Sequence, residues 1–180
     1  MPSDTNSVAA YLGRAPALAE ELVKSLASRR KIIAAAESCT AGMASDFIAR
    51  VPGASNVFWG SFVSYTPDAK LKMLGVQAAL LEEHGAVSRP VALAMAEGAL
   101  KKSGAFWALS VTGFAGPDGG SEAVPVGTVW IGIAGRDGEP SGAVHSTAKM
   151  FLFSGNRNEV REAAAAAALQ EILERADAKH

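Results

Sequence analysis

The chain has one cysteine, three histidines and two tyrosines among its 180 residues. A lone cysteine leaves no partner for an intrachain disulfide, which excludes a disulfide-stapled scaffold and fits a reducing compartment. No histidine shares metal-ligand spacing with another histidine, with the cysteine or with a paired acid, so zinc hydrolysis has no support in the sequence. An excess of one charge is also missing, because 17 Lys and Arg face 18 Asp and Glu for a formal net charge of −1. A surface that tracks a phosphate backbone needs clustered cations well in excess of acids, so nucleic acid is not an expected partner. The two basic runs, Arg29-Arg30-Lys31 and Lys101-Lys102, each fall at the end of an expected helix, where cations offset the carbonyl end of the macrodipole. No apolar stretch reaches the roughly 20 residues that span a bilayer. The Ala163–Ala168 run is short and lies between Glu162 and Glu171. Met-Pro-Ser-Asp-Thr-Asn-Ser at the start lacks the basic and apolar regions of a signal peptide. A cytoplasmic protein with no membrane partner is the expectation.

What is present suits one packed domain: 49% of the residues are hydrophobic. A flexible lead is expected over residues 1–10 and a single domain over 11–180. Leu18, Leu22, Val23 and Leu26 recur at helical spacing between Pro16 and Arg30. Lys31–Ala36 reads as a short buried strand, and a helix follows from about Ala41 to Arg50. Val57–Tyr65 is a strand by its aromatic and β-branched residues. Thr66-Pro67-Asp68 starts a helix that stops at Gly75, and Ser88 with Pro90 starts another that closes near Gly104. Phe106–Val111 has strand length. Thr112–Pro125, with four glycines and two prolines, is a long loop of the kind that often carries function. Val126–Ala134 reads as a strand, Arg136–Pro140 as a hairpin turn to a strand near Gly142–Phe151, and Asn156–Ala176 as the last helix. Helices and strands interleave before the hairpin, which predicts a layered α/β/α domain with a mixed, partly parallel sheet.

Ser38 lies where a strand delivers the chain to a helix. Unpaired N–H groups at such a corner can hold an anion or a developing oxyanion, yet serine is also a common helix cap, and position alone leaves both roles open. A nucleophile needs a base. His84 sits at a helix end, His145 in a strand and His180 at the terminus, which gives a Ser-His-Asp triad little support. Lys70 is the better candidate, five residues after Tyr65 at one strand-to-helix corner beside an apolar strand that could desolvate its amine. Cys39 shares the Ser38 corner, but adjacent side chains diverge, and a thiol packed under the helix is the usual outcome. The glycines of Thr112–Ser121 let backbone approach a ligand, without the Gly-Lys-Ser/Thr end of a P-loop or a dinucleotide fingerprint.

Several segments carry a family resemblance: Ala-Glu-Ser-Cys-Thr-Ala-Gly at 36–42, Val-Pro-Gly-Ala-Ser at 51–55, Phe-Val-Ser-Tyr-Thr-Pro-Asp-Ala-Lys at 62–70 and Met-Leu-Gly-Val at 73–76. With His-Gly-Ala-Val-Ser at 84–88, Val-Thr-Gly-Phe-Ala-Gly-Pro-Asp-Gly-Gly at 111–120 and Pro-Val-Gly-Thr-Val-Trp at 125–130, they resemble the C-terminal domain of the competence/damage-inducible protein CinA. The resemblance runs in order from about Pro16 to Leu173. It extends to stand-alone nicotinamide-nucleotide amidases, and so implies hydrolysis of nicotinamide mononucleotide to nicotinic acid mononucleotide and ammonia, with no metal and no cofactor. By that resemblance Ser38 is the nucleophile, with Lys70 and Tyr65 assisting. It also implies that N–H groups at the start of the 40–50 helix, with Thr40 and Gly42, face the substrate. Thr112 and the loop with Gly113 and Gly116 would hold the nucleotide, and Arg157 its phosphate. A homo-oligomer is implied as well. Two positions depart from the family pattern: Ala41 stands where a glycine is common, and Asn156 where an aspartate is. The extra N-terminal domain of the full-length family protein is not expected. The competing reading is a non-catalytic nucleotide-sensing or assembly module, which would have no need of Ser38, Tyr65 and Lys70 together.

Overall fold

The computed structural model describes residues 6–138 and 141–178. A two-residue strand β1 (Asn6–Ser7) precedes α1 (Ala15–Ser28), β2 (Ile33–Glu37), α2 (Met43–Ala49) and β3 (Phe58–Val63). A short α3 (Pro67–Ala69) runs directly into one π-helical turn, Lys70–Leu74, and is followed by α4 (Ala78–His84), α5 (Arg89–Ser103) and β4 (Trp107–Gly113). The antiparallel strands β5 (Thr128–Arg136) and β6 (Val144–Ser154) and the long α6 (Arg157–Ala178) complete the fold.

The sheet order is β1-β6-β5-β4-β2-β3. β2 is parallel to both β3 and β4, and β4, β5 and β6 are antiparallel in turn, so the sheet is mixed as expected. β2, between β4 and the edge strand β3, is Ile-Ala-Ala-Ala-Glu with every residue buried, because helices cover both faces. On one face lie α1, α2 and α6, and on the other α5. α1 turns Leu18, Leu22, Val23 and Leu26 inward, the stripe its sequence period specifies. The six alanines Ala163–Ala168 are all fully buried. Side chains this small let α6 lie close to α1 and the sheet at once.

The differences from sequence expectation have local causes. α2 begins at Met43 because Ala41 (φ 52) and Gly42 (φ 96) are both left-handed. Of the lead expected over 1–10, residues 1–5 lie outside the described residues, and 6–10 are not a lead: β1 pairs with β6, and Val8 is buried in the core. In the expected hairpin turn, residues 139 and 140 also lie outside the described residues, as does His180.

Three parallel strands therefore end on one side of the sheet, β2 before Ser38, β3 before Tyr65 and β4 at Gly113. Carboxyl ends of parallel strands are the usual place for a ligand crevice in open α/β sheets. The helical turn that carries Lys70 reaches this side by packing on α5. A Cβ on Gly98 of α5 would sit 2.2 Å from the Leu74 carbonyl oxygen, so only glycine permits the approach. Gly98→Ala is expected to destabilise the fold by about 1–3 kcal/mol, read as a lower denaturation midpoint in urea.

Candidate functional site

The corner between β2 and α2 is organised by a carboxylate. Glu37, fully buried at the end of β2, accepts the N–H groups of Gly42 (2.9 Å), Ala44 (3.2 Å) and Ser45 (2.9 Å), together with the Ser45 hydroxyl. The strand thus caps the helix that follows it, and Ser38 does not. Ser38 donates its N–H to Val111 O at 2.9 Å and accepts the Ala41 N–H at 3.0 Å, which fixes its backbone and leaves its hydroxyl available.

The second corner brings the partner. Thr66 caps α3, its Oγ1 accepting the Ala69 N–H at 3.1 Å, and Pro67 supplies the first helical position. One turn on, Lys70 is 1% exposed, and Nζ donates to Ser38 Oγ at 2.7 Å and to Ser64 O at 2.9 Å. The Ser38 hydroxyl in turn lies 3.3 Å from the Tyr65 carbonyl oxygen. Burial lowers the Lys70 pKa to about 8, because taking an ammonium out of water favours the neutral amine. The adjacent Cys39 acts in the opposite sense and raises it, while burial pushes that thiol itself up to about 12. Cys39 is therefore packing, as the sequence suggests, and not a rival nucleophile.

These groups face a cavity of about 220 Å³ whose wall also includes Thr112, Gly113, Gly116, Asp118 and Arg157. At its mouth Arg157 donates from Nη2 to the Tyr65 hydroxyl at 2.8 Å and from Nη1 to Gly116 O at 2.6 Å. The half-exposed Tyr65 ring thus bonds Arg157, and its link to Ser38 is through main chain. Thr112 Oγ1 donates to Ala86 O at 2.7 Å and braces the chain between α4 and α5. Gly113 has no room for a side chain, since a Cβ would lie 2.7 Å from Thr128 O.

Two expected residues are not brought to the cavity wall. Thr40 is fully buried beneath the turn, and the Gly42 N–H is bonded to Glu37. The N–H groups expected to face a substrate from the start of α2 are in large part held by that carboxylate. The two departures from the family pattern are also explained. Ala41 projects into solvent away from the cavity, where its positive φ costs about 1 kcal/mol. Asn156 caps α6, accepting the Asn158 and Glu159 N–H groups at 3.0 and 3.2 Å while the Glu159 carboxylate accepts the Asn156 N–H at 2.8 Å, a role asparagine fills as well as aspartate.

Arg161 escaped the sequence reading. Its Nε donates to Cys39 O and its Nη2 to Thr40 O, each at 3.1 Å. The available signal was spacing, because Arg157 and Arg161 stand four apart on one face of α6. His84 lines a neighbouring groove and His145 pairs with Asp137, so neither reaches Ser38. Among the described residues no three His, Cys, Asp or Glu side chains form a metal cluster, and no helix is long and apolar enough to cross a membrane.

A desolvated lysine amine on a serine hydroxyl, set at the carboxyl ends of parallel strands, defines a three-layer α/β/α protein with a serine–lysine cleft. The chain belongs to the CinA C-terminal domain family, whose model matches residues 15–176. It is 44% identical over 155 residues to the Escherichia coli K12 nicotinamide-nucleotide amidohydrolase PncC, covering 86% of this chain and 90% of that protein. With the CinA-like protein of Chlorobaculum tepidum it is 45% identical over 157 residues, 87% of this chain but 37% of that longer relative. The crystal structure of the competence/damage inducible protein CihA from Agrobacterium tumefaciens superposes with a TM-score of 0.83 at 38% identity, covering 93% of this chain and 98% of that one.

The buried amine makes a stability prediction. Lys70 holds its proton to about pH 8 in the fold but to about 10.5 when unfolded. Between those values the unfolded chain binds more protons, so wild-type stability rises with pH across that window. Lys70→Met lacks this contribution. It is expected to be more stable than wild type at pH 7 by about 1–3 kcal/mol, with the gap narrowing toward pH 10.5 in urea titrations.

Proposed function

We propose that this chain hydrolyses the carboxamide of nicotinamide mononucleotide, yielding nicotinic acid mononucleotide and ammonia by acyl transfer through Ser38. The observation that carries the reading is the Lys70 amine, 2.7 Å from Ser38 Oγ, with burial lowering its pKa to about 8. The name of the E. coli relative supports the substrate.

With Lys70 neutral, the contact reverses and the serine hydroxyl donates to the nitrogen lone pair. Ser38 Oγ attacks the carboxamide carbon as its proton passes to Lys70. The ammonium so formed protonates the leaving amine, the C–N bond breaks, and ammonia departs from a Ser38 ester. Water then adds to the ester as Lys70 takes its proton; Lys70 returns that proton to Ser38 Oγ as the ester C–O bond breaks, and the acid leaves. No step calls on a metal. Arg157, steadied by Tyr65 and Gly116, pairs with the phosphate at the cavity mouth, and the Gly113–Gly116 backbone lines the path between. Tyr65 assists from the mouth through Arg157 and through its carbonyl on Ser38. Free nucleotide in the cytoplasm is the setting this chemistry suits.

Ammonia release from nicotinamide mononucleotide tests the reading. Ser38→Ala should lower kcat by at least about 10³-fold, and Lys70→Ala by about 10²–10⁴-fold. Wild-type kcat/KM should rise with pH through about 8, as Lys70 loses its proton. Arg157→Ala should raise KM about tenfold while changing kcat less. Turnover that survives Ser38→Ala would overturn the mechanism. Tight nucleotide binding without wild-type turnover would favour a sensing module of the same fold.

A further inference from the structure

Two segments that carry the family resemblance, His84–Ser88 and Pro125–Trp130, supply no reacting group at Ser38, and they meet at a second cavity of about 290 Å³. Its floor belongs to the β5–β6 pair, where Thr128 lies opposite Leu152 and Trp130 opposite Met150. Val124 and Pro125 close one side, and the connection from α4 into α5, with Val87, Ser88 and Arg89, closes the other. Val87 also borders the Ser38 cavity, so the two cavities are neighbours, but Ser38, Lys70 and Arg157 do not line this one. We propose that this groove is a second binding site, for a small aryl carboxylate whose ring lies against Trp130 and whose charge meets Arg89 and the start of α5.

The anion follows from a surplus of donors. α5 runs for 15 residues, and its first turn holds no acid. Ser88 precedes it but spends its hydroxyl as a donor to Gly85 O at 2.9 Å, so the helix has no side-chain cap. The N–H groups of Arg89 and Val91 have no partner among the described residues, and Pro90 between them has no N–H. Arg89 is exposed and makes no ion pair among those residues, which adds a cation where the macrodipole is already positive. A separate observation comes from the floor. Thr128 is 3% exposed, yet its hydroxyl has no hydrogen-bond partner among the described residues. Side chains alternate along a strand, so Thr128 faces the groove with Trp130, while Val129 and Ile131 enter the core beneath. Buried polar groups are almost always paired, and one that is not calls for a partner. No Asp or Glu lines the groove to accept from these donors, and His84 at its rim is turned to Glu83 at 3.6 Å. A carboxylate supplies the missing acceptors and fits a guanidinium fork. The rest of the wall, Trp130, Met150, Leu152 and Pro125, is apolar and suits a flat ring, since thioether sulfur and indole both pack well on aromatic faces.

Titration with 2-naphthoate, followed by the ¹⁵N-labelled indole N–H resonance of Trp130, tests the site directly. The spectrum of Trp130→Phe assigns that resonance against Trp59 and Trp107. Wild type should show a saturable Trp130 shift with a Kd of about 1 mM or tighter. Arg89→Gln, with an otherwise unchanged spectrum, should bind about tenfold more weakly. Neutral 2-naphthalenemethanol, which keeps the ring and loses the charge, should also bind about tenfold more weakly to wild type. Arg157→Ala should bind 2-naphthoate as wild type does, because that arginine belongs to the neighbouring cavity. No shift of Trp130 would overturn the proposal, as would equal affinity for the acid and the alcohol or for wild type and Arg89→Gln. Loss of binding in Arg157→Ala would overturn it by placing the anion beside Ser38. A Trp130 resonance that moves on dilution of the protein alone would overturn it by showing that a second copy of the chain covers the groove.

Discussion

One placement governs the candidate site: an amine, Lys70, held out of water against a serine hydroxyl. A lysine in solvent would keep its proton well above neutrality and could not accept another. Here burial favours the neutral form, and two oxygens, Ser38 Oγ and Ser64 O, accept two of the three N–H donors of its ammonium. Desolvation works against the folded state, since the protonated form that dominates below pH 8 is the one burial disfavours. The surrounding architecture offsets it. Thr66 fixes where the helical segment begins, Gly75 at positive φ ends it, and Gly98 lets α5 press against the turn between them. The π-helical turn at Lys70–Leu74 belongs to this arrangement, and such turns are frequent at functional sites.

Around that contact the fold separates two tasks. Glu37 and Arg161 act on backbone: the first gathers the N–H groups that begin α2, and the second holds two carbonyls of the turn before it. Between them the turn has little freedom, and Ser38 inherits its rigidity. Tyr65, Arg157 and Gly116 form a separate tie across the cavity mouth, reaching from β3 to α6 and the glycine loop. Glu37 and Lys70 at the reacting centre are buried, while Tyr65 and Arg157 at the mouth are exposed, as expected for an enclosed reacting centre with a solvated anchor.

Much of this was legible before the fold was known, wherever the signal is local. Thr66-Pro67-Asp68 and Gly75 mark a helix start and stop through cap chemistry alone, and the Leu18–Leu26 stripe marks a buried helical face. Resemblance supplied what spacing could not, because Ser38 and Lys70 meet across 32 residues and Tyr65 and Arg157 across 92. Where the placement of a residue differs from the sequence reading, the cause is a distant or unexpected partner. Thr40 and Gly42 look like ligand contacts only if the N–H groups beginning α2 are free, yet a carboxylate from the preceding strand already holds several of them. A glutamate at a strand end reads as solvent-facing, so nothing local announces this role. Tyr65 looked like a companion of Lys70 because both belong to one corner, but its ring projects outward to an arginine from the last helix. Strand order was illegible because β4 enters between β2 and β5, a choice made by helix packing on two faces.

The central claim is that the fold lowers the pKa of the Lys70 amine to about 8 beside Ser38. Titration of the Lys70 side chain by carbon NMR, with ¹³C-labelled lysine in wild type and the Lys70→Met spectrum to assign the resonance, measures this directly. The account predicts a midpoint near 8, well below the ordinary lysine value. A midpoint near 10.5 would contradict it, because the neutral amine that accepts the Ser38 proton would then be a few hundred times scarcer around pH 7–8 than the account requires.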